Sequence, residues 1–323
     1  AGNRRDACGP CRSSSCGQEL TPMAFDLTLT VYKAVAAAAR TLPHGLMSGL
    51  SRAVTTAIPW FSPDRRLVVE RNLRRSADHE LSDSELTLGV RAVFRSYARY
   101  YTDTARLPGL SASEVDHGFS YQGFEHIQSS HARGKGTILV VPHVGGWEWA
   151  ASWLDKVPKY QVTGVVEALD NDELRLWMEE WREAVGIQVL PLGQGLGGEL
   201  ARRLRANHVL CLMSDRNLGD GGVEVDFFGE STELPGGAAT LALRTGATIV
   251  PVAVYHRGEQ NHAICEPPIV VERHGKMRED IKRITQNVAH VMEMQIRREP
   301  HQWLVLQPNW PSDHQALAER ASE

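Results

Sequence analysis

The sequence predicts a single α/β domain with a central, mostly parallel sheet and helices on both faces, preceded by an N-terminal helical segment that associates with a membrane. Three observations predict this fold. From about residue 119, short apolar runs alternate with stretches of helical period, which is typical of parallel strands joined by crossover helices. The runs are rich in branched residues and apolar throughout, as expected of strands buried on both faces. With 323 residues, 42% of them hydrophobic, the chain can bury a sizeable core.

Composition narrows the function classes. A net charge of −4 gives no signature of polyanion binding, so no nucleic-acid partner is expected. Cys8, Cys11 and Cys16 crowd near the start, whereas Cys211 and Cys265 lie singly in apolar stretches. This usage is typical of a reducing compartment rather than of a disulfide framework.

Residues 1–22 are rich in Arg, Ser, Gly and Cys and lack hydrophobic periodicity, so we interpret them as disordered or as an extension upstream of a start at Met23. The letters Cys8-Gly9-Pro10-Cys11 match a thioredoxin-type motif. That motif needs a strand before it and a helix after it, and neither is predicted here.

Residues 23–106 are predicted to be helical and membrane-associating. Residues 25–61 are apolar, but charged residues and prolines interrupt them too often for the ~20-residue span of a transmembrane helix. They can lie on a membrane surface with Trp60 and Phe61 at the headgroups, or pack as an ordinary helical hairpin. The next helix starts at Ser62-Pro63. It carries five arginines that can meet anionic lipid or simply be solvated: Arg65, Arg66, Arg71, Arg74 and Arg75.

A second helix of this region begins at Ser82, because Ser82 followed by Glu85 has the spacing of a capping box. The helix continues through Tyr100 and Tyr101. Its aromatic residues are expected in the core.

Residues 107–313 form the predicted α/β core, followed by a polar tail at 314–323. Strands are predicted at 119–121, 137–141, 161–166, 187–192, 208–213, 223–227 and 248–255. Helices are predicted at 124–133, 147–156, 172–185, 198–206, 236–246 and 276–298. Ligands bind at the carboxyl ends of the strands in such sheets. His143, Glu167 and Asp215 each follow a different strand, so this edge of the sheet is the predicted site.

The turn around His143 is the centre of that prediction. Pro142 stops the buried strand, and Gly145 and Gly146 let the backbone turn into an amphipathic helix. Glu148, in the first turn of that helix, would face back toward His143. A carboxylate near an imidazole is the arrangement of a general base. The alternative is a structural strand-turn-helix corner with a satisfied histidine.

A competing motif is Gly193-Gln194-Gly195-Leu196-Gly197-Gly198. It follows a predicted strand and opens a helix, with Asp215 after the next strand, as in a dinucleotide-binding fingerprint. It would make the chain an NAD(P)-dependent oxidoreductase that uses Gly193, Gly195 and Gly198. Against it, Pro191 and Leu192 break the junction between strand and glycines, and the unit lies in mid-chain.

Other chemistries have little support. We find no Gly-x-Ser-x-Gly elbow, and the region predicted to be ordered has no His-Glu-x-x-His and no paired Cys-x-x-Cys, so no serine nucleophile, no metal and no other cofactor is expected. A base histidine without a nucleophile indicates direct transfer, in which an acceptor hydroxyl is deprotonated and attacks an activated carbonyl. A lipid-binding protein with a degenerate site is the remaining alternative.

The combined motifs resemble the bacterial lysophospholipid acyltransferase superfamily, in the branch that includes the lipid A lauroyltransferases. The resemblance runs from about residue 71 to 313 and rests on His143-x4-Glu148, Asp215-Arg216-Asn217-Leu218 and the stretches 222–230, 235–239 and 245–251. The stretches 180–183, 189–192 and 306–310 are more similar to the actinobacterial phosphatidylinositol mannoside acyltransferases. Those enzymes generally carry Asp where this chain has Glu148, the residue of the lipid A branch, so the acceptor stays open.

The resemblance implies a peripheral enzyme on the cytoplasmic face of the plasma membrane. It would move a fatty acyl chain from acyl-CoA to a sugar hydroxyl of a membrane glycolipid, expected to be a mannose of a phosphatidylinositol mannoside. Its partners would be acyl-CoA, the glycolipid and an anionic membrane surface. The alternative within the superfamily is a lipid A-type lauroyltransferase that uses acyl carrier protein.

The resemblance also implies roles for individual residues. His143 would be the general base, Asp215 the carboxylate that orients it, and Glu148 the second acid. Backbone N–H groups after His143 are expected to stabilise an oxyanion, since they open a helix. The substrate-binding positions would be Glu167, Arg182, Arg216 and Trp147.

Overall fold

The computed structural model describes residues 62–166, 172–218 and 221–322. Its helices are α1 (Pro63–Ser76), α2 (Asp83–Arg106), α3 (Ala112–His117), α4 (Phe124–Ala132), α5 (Trp147–Lys156), α6 (Asp172–Ala184), α7 (Leu196–Arg205), α8 (Gly237–Thr245), α9 (Met277–Arg298) and α10 (Pro311–Ala321). Its strands are β1 (Phe119–Gln122), β2 (Thr137–Val141), β3 (Val162–Val166), β4 (Ile187–Pro191), β5 (Val209–Met213), β6 (Val223–Phe227), β7 (Glu230–Leu234), β8 (Thr248–Arg257) and β9 (Gln260–Cys265). Short 3-10 helices lie at Leu107–Gly109 and Pro300–Gln302.

In the described part of the chain, seven strands form one sheet in the order β1-β9-β8-β2-β5-β3-β4. Every neighbouring pair is parallel except β8 and β9, so the prediction of a mostly parallel sheet is confirmed. β9 was not predicted. It returns from β8 through a tight turn at Gly258, whose φ of 59° suits glycine.

The strand predicted at 223–227 exists as β6, but its placement in the parallel sheet was wrong. It pairs antiparallel with β7 in a separate hairpin. The reason is visible in the sequence, because buried Val225 and Phe227 alternate with exposed Glu224 and Asp226. This alternation is typical of a strand with one face on the core.

The core lies on both faces of the sheet, as predicted, and β2 shows how. Ile138 and Val140 pack with side chains of α7, α8 and α9, whereas Leu139 and Val141 pack with side chains of α4, α5 and α6. All five residues of β2 are buried. The sheet is therefore the rigid centre of one domain, and its carboxyl edge is held from both sides.

The two helices predicted before the core are α1 and α2, and the capping box of Ser82 and Glu85 is formed. The five arginines of α1 do not share one exposed face. Arg71 and Arg75 point inward and form ion pairs of 2.6 and 2.8 Å with Asp313, whose side chain is fully buried. A set of five solvent-facing charges for anionic lipid is thus not present.

Two of the predicted segments, residues 1–22 and the apolar stretch at 25–61, lie outside the described residues. Of the helices that are described, none combines the length and the apolar character needed to cross a membrane. The end of the chain, predicted as a polar tail, largely continues helix α10.

Asp313→Asn is expected to lower the free energy of unfolding by about 3 kcal/mol, because it leaves two arginines without their buried partner. Burial raises the pKa of Asp313, but Arg75 and Arg71 outweigh it and hold that pKa below its usual 3.8. The stabilisation is therefore present above pH 3.8 and is lost as the pH falls through the lower folded-state value. Denaturant unfolding at neutral and acidic pH measures this. In the matched control, Glu224→Gln, the ion pair removed is the exposed one with Lys282, and stability should hardly change. Equal losses in the two variants would contradict the assignment.

Candidate active site

His143 and Asp215 come together because β2 and β5 are parallel neighbours in matching register. Val141 of β2 lies opposite Met213 of β5, and the two strands run in the same direction. His143 and Asp215 each follow two residues after this pair. A hydrogen bond of 3.1 Å from the Ser214 amide to the Val141 carbonyl extends the pairing beyond the strands. The structure thus brings together two of the three residues predicted at this edge, His143 and Asp215, whereas Glu167 lies outside the described residues.

The two side chains make a direct hydrogen bond. His143 Nδ1 lies 2.6 Å from Asp215 Oδ1, and the His143 amide donates to Asp215 Oδ2 over 2.8 Å. An ionised carboxylate only accepts, so Nδ1 carries the proton and Nε2, on the far side of the ring, has the free lone pair. Asp215 is fully buried, whereas 31% of the His143 side chain is exposed. The imidazole of the pair is therefore partly exposed, whereas its carboxylate is buried.

Electrostatics favour a charged form of this pair. Burial lowers the pKa of His143, but the charge and hydrogen bond of Asp215 outweigh it, so the net pKa is raised above its usual 6.5. Burial raises the pKa of Asp215, and the charge and hydrogen bonds of His143 reverse that, leaving it lowered from its usual 3.8. The site is therefore built to stabilise an imidazolium beside a carboxylate.

The turn after His143 requires its glycines. Gly145 has a φ of 57°, and a Cβ there would lie 2.0 Å from the Val254 carbonyl oxygen. A Cβ on Gly146 would lie 2.3 Å from the Asn261 side chain. The turn is therefore pressed against the β8–β9 hairpin, which positions the start of α5.

The structure narrows the set of predicted oxyanion donors. The Val144 amide donates to the Pro142 carbonyl over 2.7 Å and the Gly145 amide to the Gln302 carbonyl over 3.1 Å. These two N–H groups already have acceptors and cannot also bind an oxyanion well. Gly146 and Trp147 lie at the N-cap and first position of α5, where amides have no acceptor within the helix, so they are the candidate donors.

Glu148 does not bond to His143. It is 2% exposed, and its Oε1 accepts a 2.6 Å hydrogen bond from the Tyr100 hydroxyl of α2 while its Oε2 has no partner. Burial raises the pKa of Glu148 to about 7, although the Tyr100 hydrogen bond and the positive charge of Arg182 lower it. Asp215, and not Glu148, is therefore the carboxylate in contact with His143.

Glu148→Gln is expected to raise the free energy of unfolding, relative to wild type, by more at pH 8 than at pH 4.5. Because the folded-state pKa of Glu148 is about 7 and its usual value is 4.5, wild-type stability falls as the pH rises between them. That difference corresponds to roughly 3 kcal/mol at about 1.4 kcal/mol per pH unit. Glutamine does not titrate and keeps an oxygen for Tyr100. Denaturant unfolding of both proteins at the two pH values measures this. If the variant and wild type differ in free energy of unfolding by the same amount at both pH values, the pKa of Glu148 is not raised.

The predicted substrate-binding residues are placed as follows. Arg182 of α6 is close enough for its charge to act on Glu148, and Arg216 acts in the same way on His143. Glu167 lies outside the described residues. Trp147 lines an apolar cavity of about 30 Å³ between the sheet and helices α4 and α5. Other residues around this cavity are Leu139, Val141, Trp153, Cys211 and Val252.

The glycine motif at 193–198 does not form a dinucleotide site. It follows β4, the outermost strand, whereas dinucleotides bind where the strand order reverses inside a sheet. A Cβ on Gly198 would meet no atom within 4 Å, so the close packing of helix on strand that the third glycine provides is missing.

Two side-chain hydrogen bonds to the carboxylates of the site were not predicted. Tyr100 was assigned to the core, yet its hydroxyl reaches Glu148. Trp303 donates its indole N–H to Asp215 Oδ2 over 2.8 Å from 88 residues away. A Trp at the end of a helix-rich region gives no local signal for such a contact. The polar tip on an otherwise apolar residue is the only hint, since buried Tyr and Trp usually find a hydrogen-bond partner.

Comparisons with known proteins give one consistent result. The model of the family described as bacterial lipid A biosynthesis acyltransferase matches residues 23–312. A phosphatidylinositol mannoside acyltransferase of Mycolicibacterium smegmatis is 36% identical over 252 residues, which cover 76% of this chain and 79% of that protein. A protein of the same name from Mycobacterium tuberculosis is 36% identical over 233 residues, covering 69% of this chain and 70% of the relative.

Proposed function

The chain belongs to the bacterial lipid A biosynthesis acyltransferase family and is a glycolipid O-acyltransferase, and we propose that it moves a fatty acyl group from acyl-CoA to a mannose hydroxyl of a phosphatidylinositol mannoside. The acceptor is proposed because two relatives that match most of their length carry that name. The observation that carries the mechanism is the His143–Asp215 pair at the open edge of the sheet.

The proposed reaction is a direct transfer. Nε2 of His143 takes the proton of the acceptor hydroxyl, and the oxygen attacks the thioester carbonyl to give a tetrahedral intermediate. The amides of Gly146 and Trp147 would face its oxyanion. The carbon–sulfur bond then breaks, and the imidazolium returns its proton to the leaving thiolate. Asp215 stabilises the imidazolium between these steps, and no covalent enzyme intermediate forms.

The acyl chain is proposed to enter the apolar cavity beneath Val141 and Trp147, the residues that flank the catalytic turn. At about 30 Å³ the cavity holds roughly one water molecule, so its aromatic lining must part to admit a chain. Trp147 would then contact the donor close to its carbonyl. Arg182 and Arg216, near Glu148 and His143, would contact polar groups of the substrates.

The experiment offers two donors and two acceptors to the purified protein. Acyl-CoA and an acyl carrier protein thioester are each combined with a phosphatidylinositol mannoside or a lipid A precursor, and the products are weighed by mass spectrometry. We expect acylation of the mannoside from acyl-CoA. Transfer to the lipid A precursor from the carrier protein alone would overturn the proposal in favour of the lauroyltransferase alternative.

We also propose peripheral attachment to the cytoplasmic face of the plasma membrane, because the acceptor keeps its tails in the bilayer. Residues 25–61 would supply apolar area, and the exposed Arg65 and Arg74 of α1 would add attraction to anionic lipid. Sedimentation with anionic vesicles should therefore weaken with added salt and after removal of residues 1–61. If the truncated protein sediments as well as the intact chain, the attachment lies elsewhere.

A further inference from the structure

The catalytic turn is held by a segment that lies far away in sequence, residues 302–305. Val144 and Trp303 form an isolated antiparallel bridge. The Leu304 amide donates to the His143 carbonyl over 2.7 Å, and the Gly145 amide donates to the Gln302 carbonyl over 3.1 Å. The segment thus runs beside the turn as an added strand and fixes the backbone on both sides of His143.

The same region reaches Asp215 from two directions. The indole N–H of Trp303 donates to Asp215 Oδ2 over 2.8 Å, and the Asn309 side-chain amide donates to the Asp215 main-chain oxygen over 2.9 Å. Oδ2 also accepts from the His143 amide over 2.8 Å, which leaves Oδ1 for His143 Nδ1. With Oδ2 held by two donors, the carboxylate cannot rotate away from the imidazole.

We propose that Trp303 is a positioning residue for the His143–Asp215 pair, acting through a hydrogen bond that aims Asp215 Oδ1 at His143 and limits how strongly the carboxylate holds the imidazolium proton. The effect of Trp303 on the rate rests on the proposed function, whereas its effect on the charge of the His143–Asp215 pair does not. Trp303 is 2% exposed and Asp215 is fully buried, so water does not compete for the bond. In such surroundings a donor to a charged acceptor has more effect than in solvent.

The direction of the effect follows from the charge. A donor on Oδ2 stabilises the ionised carboxylate, which makes Asp215 a weaker partner for the proton on Nδ1. Removing that donor leaves a less satisfied carboxylate, which attracts the imidazolium proton more strongly and raises the pKa of His143. A Trp303 that only filled space would leave this pKa where it is.

The chain offers a matched control in Trp310. It is fully buried in the same aromatic cluster, with its ring centroid 6.2 Å from that of Trp303. Its indole N–H donates to the Phe227 carbonyl over 3.2 Å and so has a neutral acceptor instead of the aspartate. Trp303→Phe and Trp310→Phe remove the same atoms from one aromatic cluster, and only the first removes a hydrogen bond to Asp215. The Arg75 guanidinium lies 4.0 Å from the ring centroid of Trp310, and phenylalanine keeps a ring for that contact.

The test is a nuclear magnetic resonance titration of His143 in the full-length protein, together with kcat and KM. For Trp303→Phe we expect a higher His143 pKa than in wild type, and a loss in kcat of about tenfold with little change in KM, as for one hydrogen bond to a charged group. For Trp310→Phe we expect the wild-type pKa and rate. An unmoved pKa in Trp303→Phe, or an equal shift in both variants, would overturn the proposal.

A second measurement needs no substitution and covers the case of a variant that does not fold. In wild type the indole proton of Trp303 should change its chemical shift with the titration of His143, because its acceptor changes its hydrogen bonding in that step. The indole proton of Trp310 should stay constant. The His143 titration and the indole chemical shifts do not depend on turnover. A wrong substrate assignment and a wrong role for Trp303 therefore give different results. A Trp303 signal that ignores the His143 titration refutes the role.

Discussion

His143→Ala is expected to lower kcat by about 100-fold or more, the usual contribution of a general base. The expectation follows from the geometry, since Nδ1 is committed to Asp215 at 2.6 Å and only Nε2 is left to accept a proton from substrate. Direct transfer has no covalent step by which another group could carry the reaction. Initial rates of glycolipid acylation at saturating donor measure the loss.

His143→Asn separates chemistry from folding. Its side-chain amide can keep the hydrogen bond to Asp215, so the buried carboxylate is not left unpaired, yet it offers no base at the position of Nε2. We expect it to fold like wild type and to be as inactive as His143→Ala. Near-normal acyl transfer by either variant would rule out His143 as the base.

Asp215→Asn is expected to lower kcat by roughly 100-fold to 10,000-fold, as replacing the carboxylate of a catalytic triad does. The asparagine amide can donate to Nδ1, which forces the imidazole proton onto Nε2 and removes the base. The negative charge that raises the pKa of His143 is lost as well. In wild type the acid limb of the pH–rate profile should lie above the usual histidine value of 6.5, and in this variant it should move down.

Glu148→Gln is the comparison that makes the Asp215 result informative. Both substitutions convert a buried carboxylate near His143 into an amide, but only Asp215 contacts the imidazole. We therefore expect the acid limb of the pH–rate profile to move down in Asp215→Asn. Should Asp215→Asn behave like wild type while Glu148→Gln is inactive, Glu148 is the partner of His143 and the assignment is reversed.

The central part of the site could be predicted from sequence because its signals are local. An apolar strand, a proline, a histidine and two glycines specify the turn after β2, and a second apolar strand, β5, ends just before Asp215. Parallel strands in register then bring the two residues together. The step from local pattern to contact needs only the topology of the sheet.

The rest could not be predicted, because it depends on contacts between distant segments. Tyr100 reaches Glu148 across 48 residues and Trp303 reaches Asp215 across 88, and neither position has a local pattern that distinguishes it from core. Arg71 and Arg75 show the same limit in reverse. They have the spacing of a solvated face, but Asp313, about 240 residues away, draws them inward.

The most direct test of the mechanism is a single-turnover rapid-quench experiment with radiolabelled acyl-CoA, excess enzyme and a phosphatidylinositol mannoside. If His143 acts as a base in a direct transfer, label passes from acyl-CoA to the glycolipid and none is found covalently attached to the quenched protein at any time. His143→Asn should leave the label on acyl-CoA. A protein-bound acyl group that forms and decays at the rate of turnover would contradict the account.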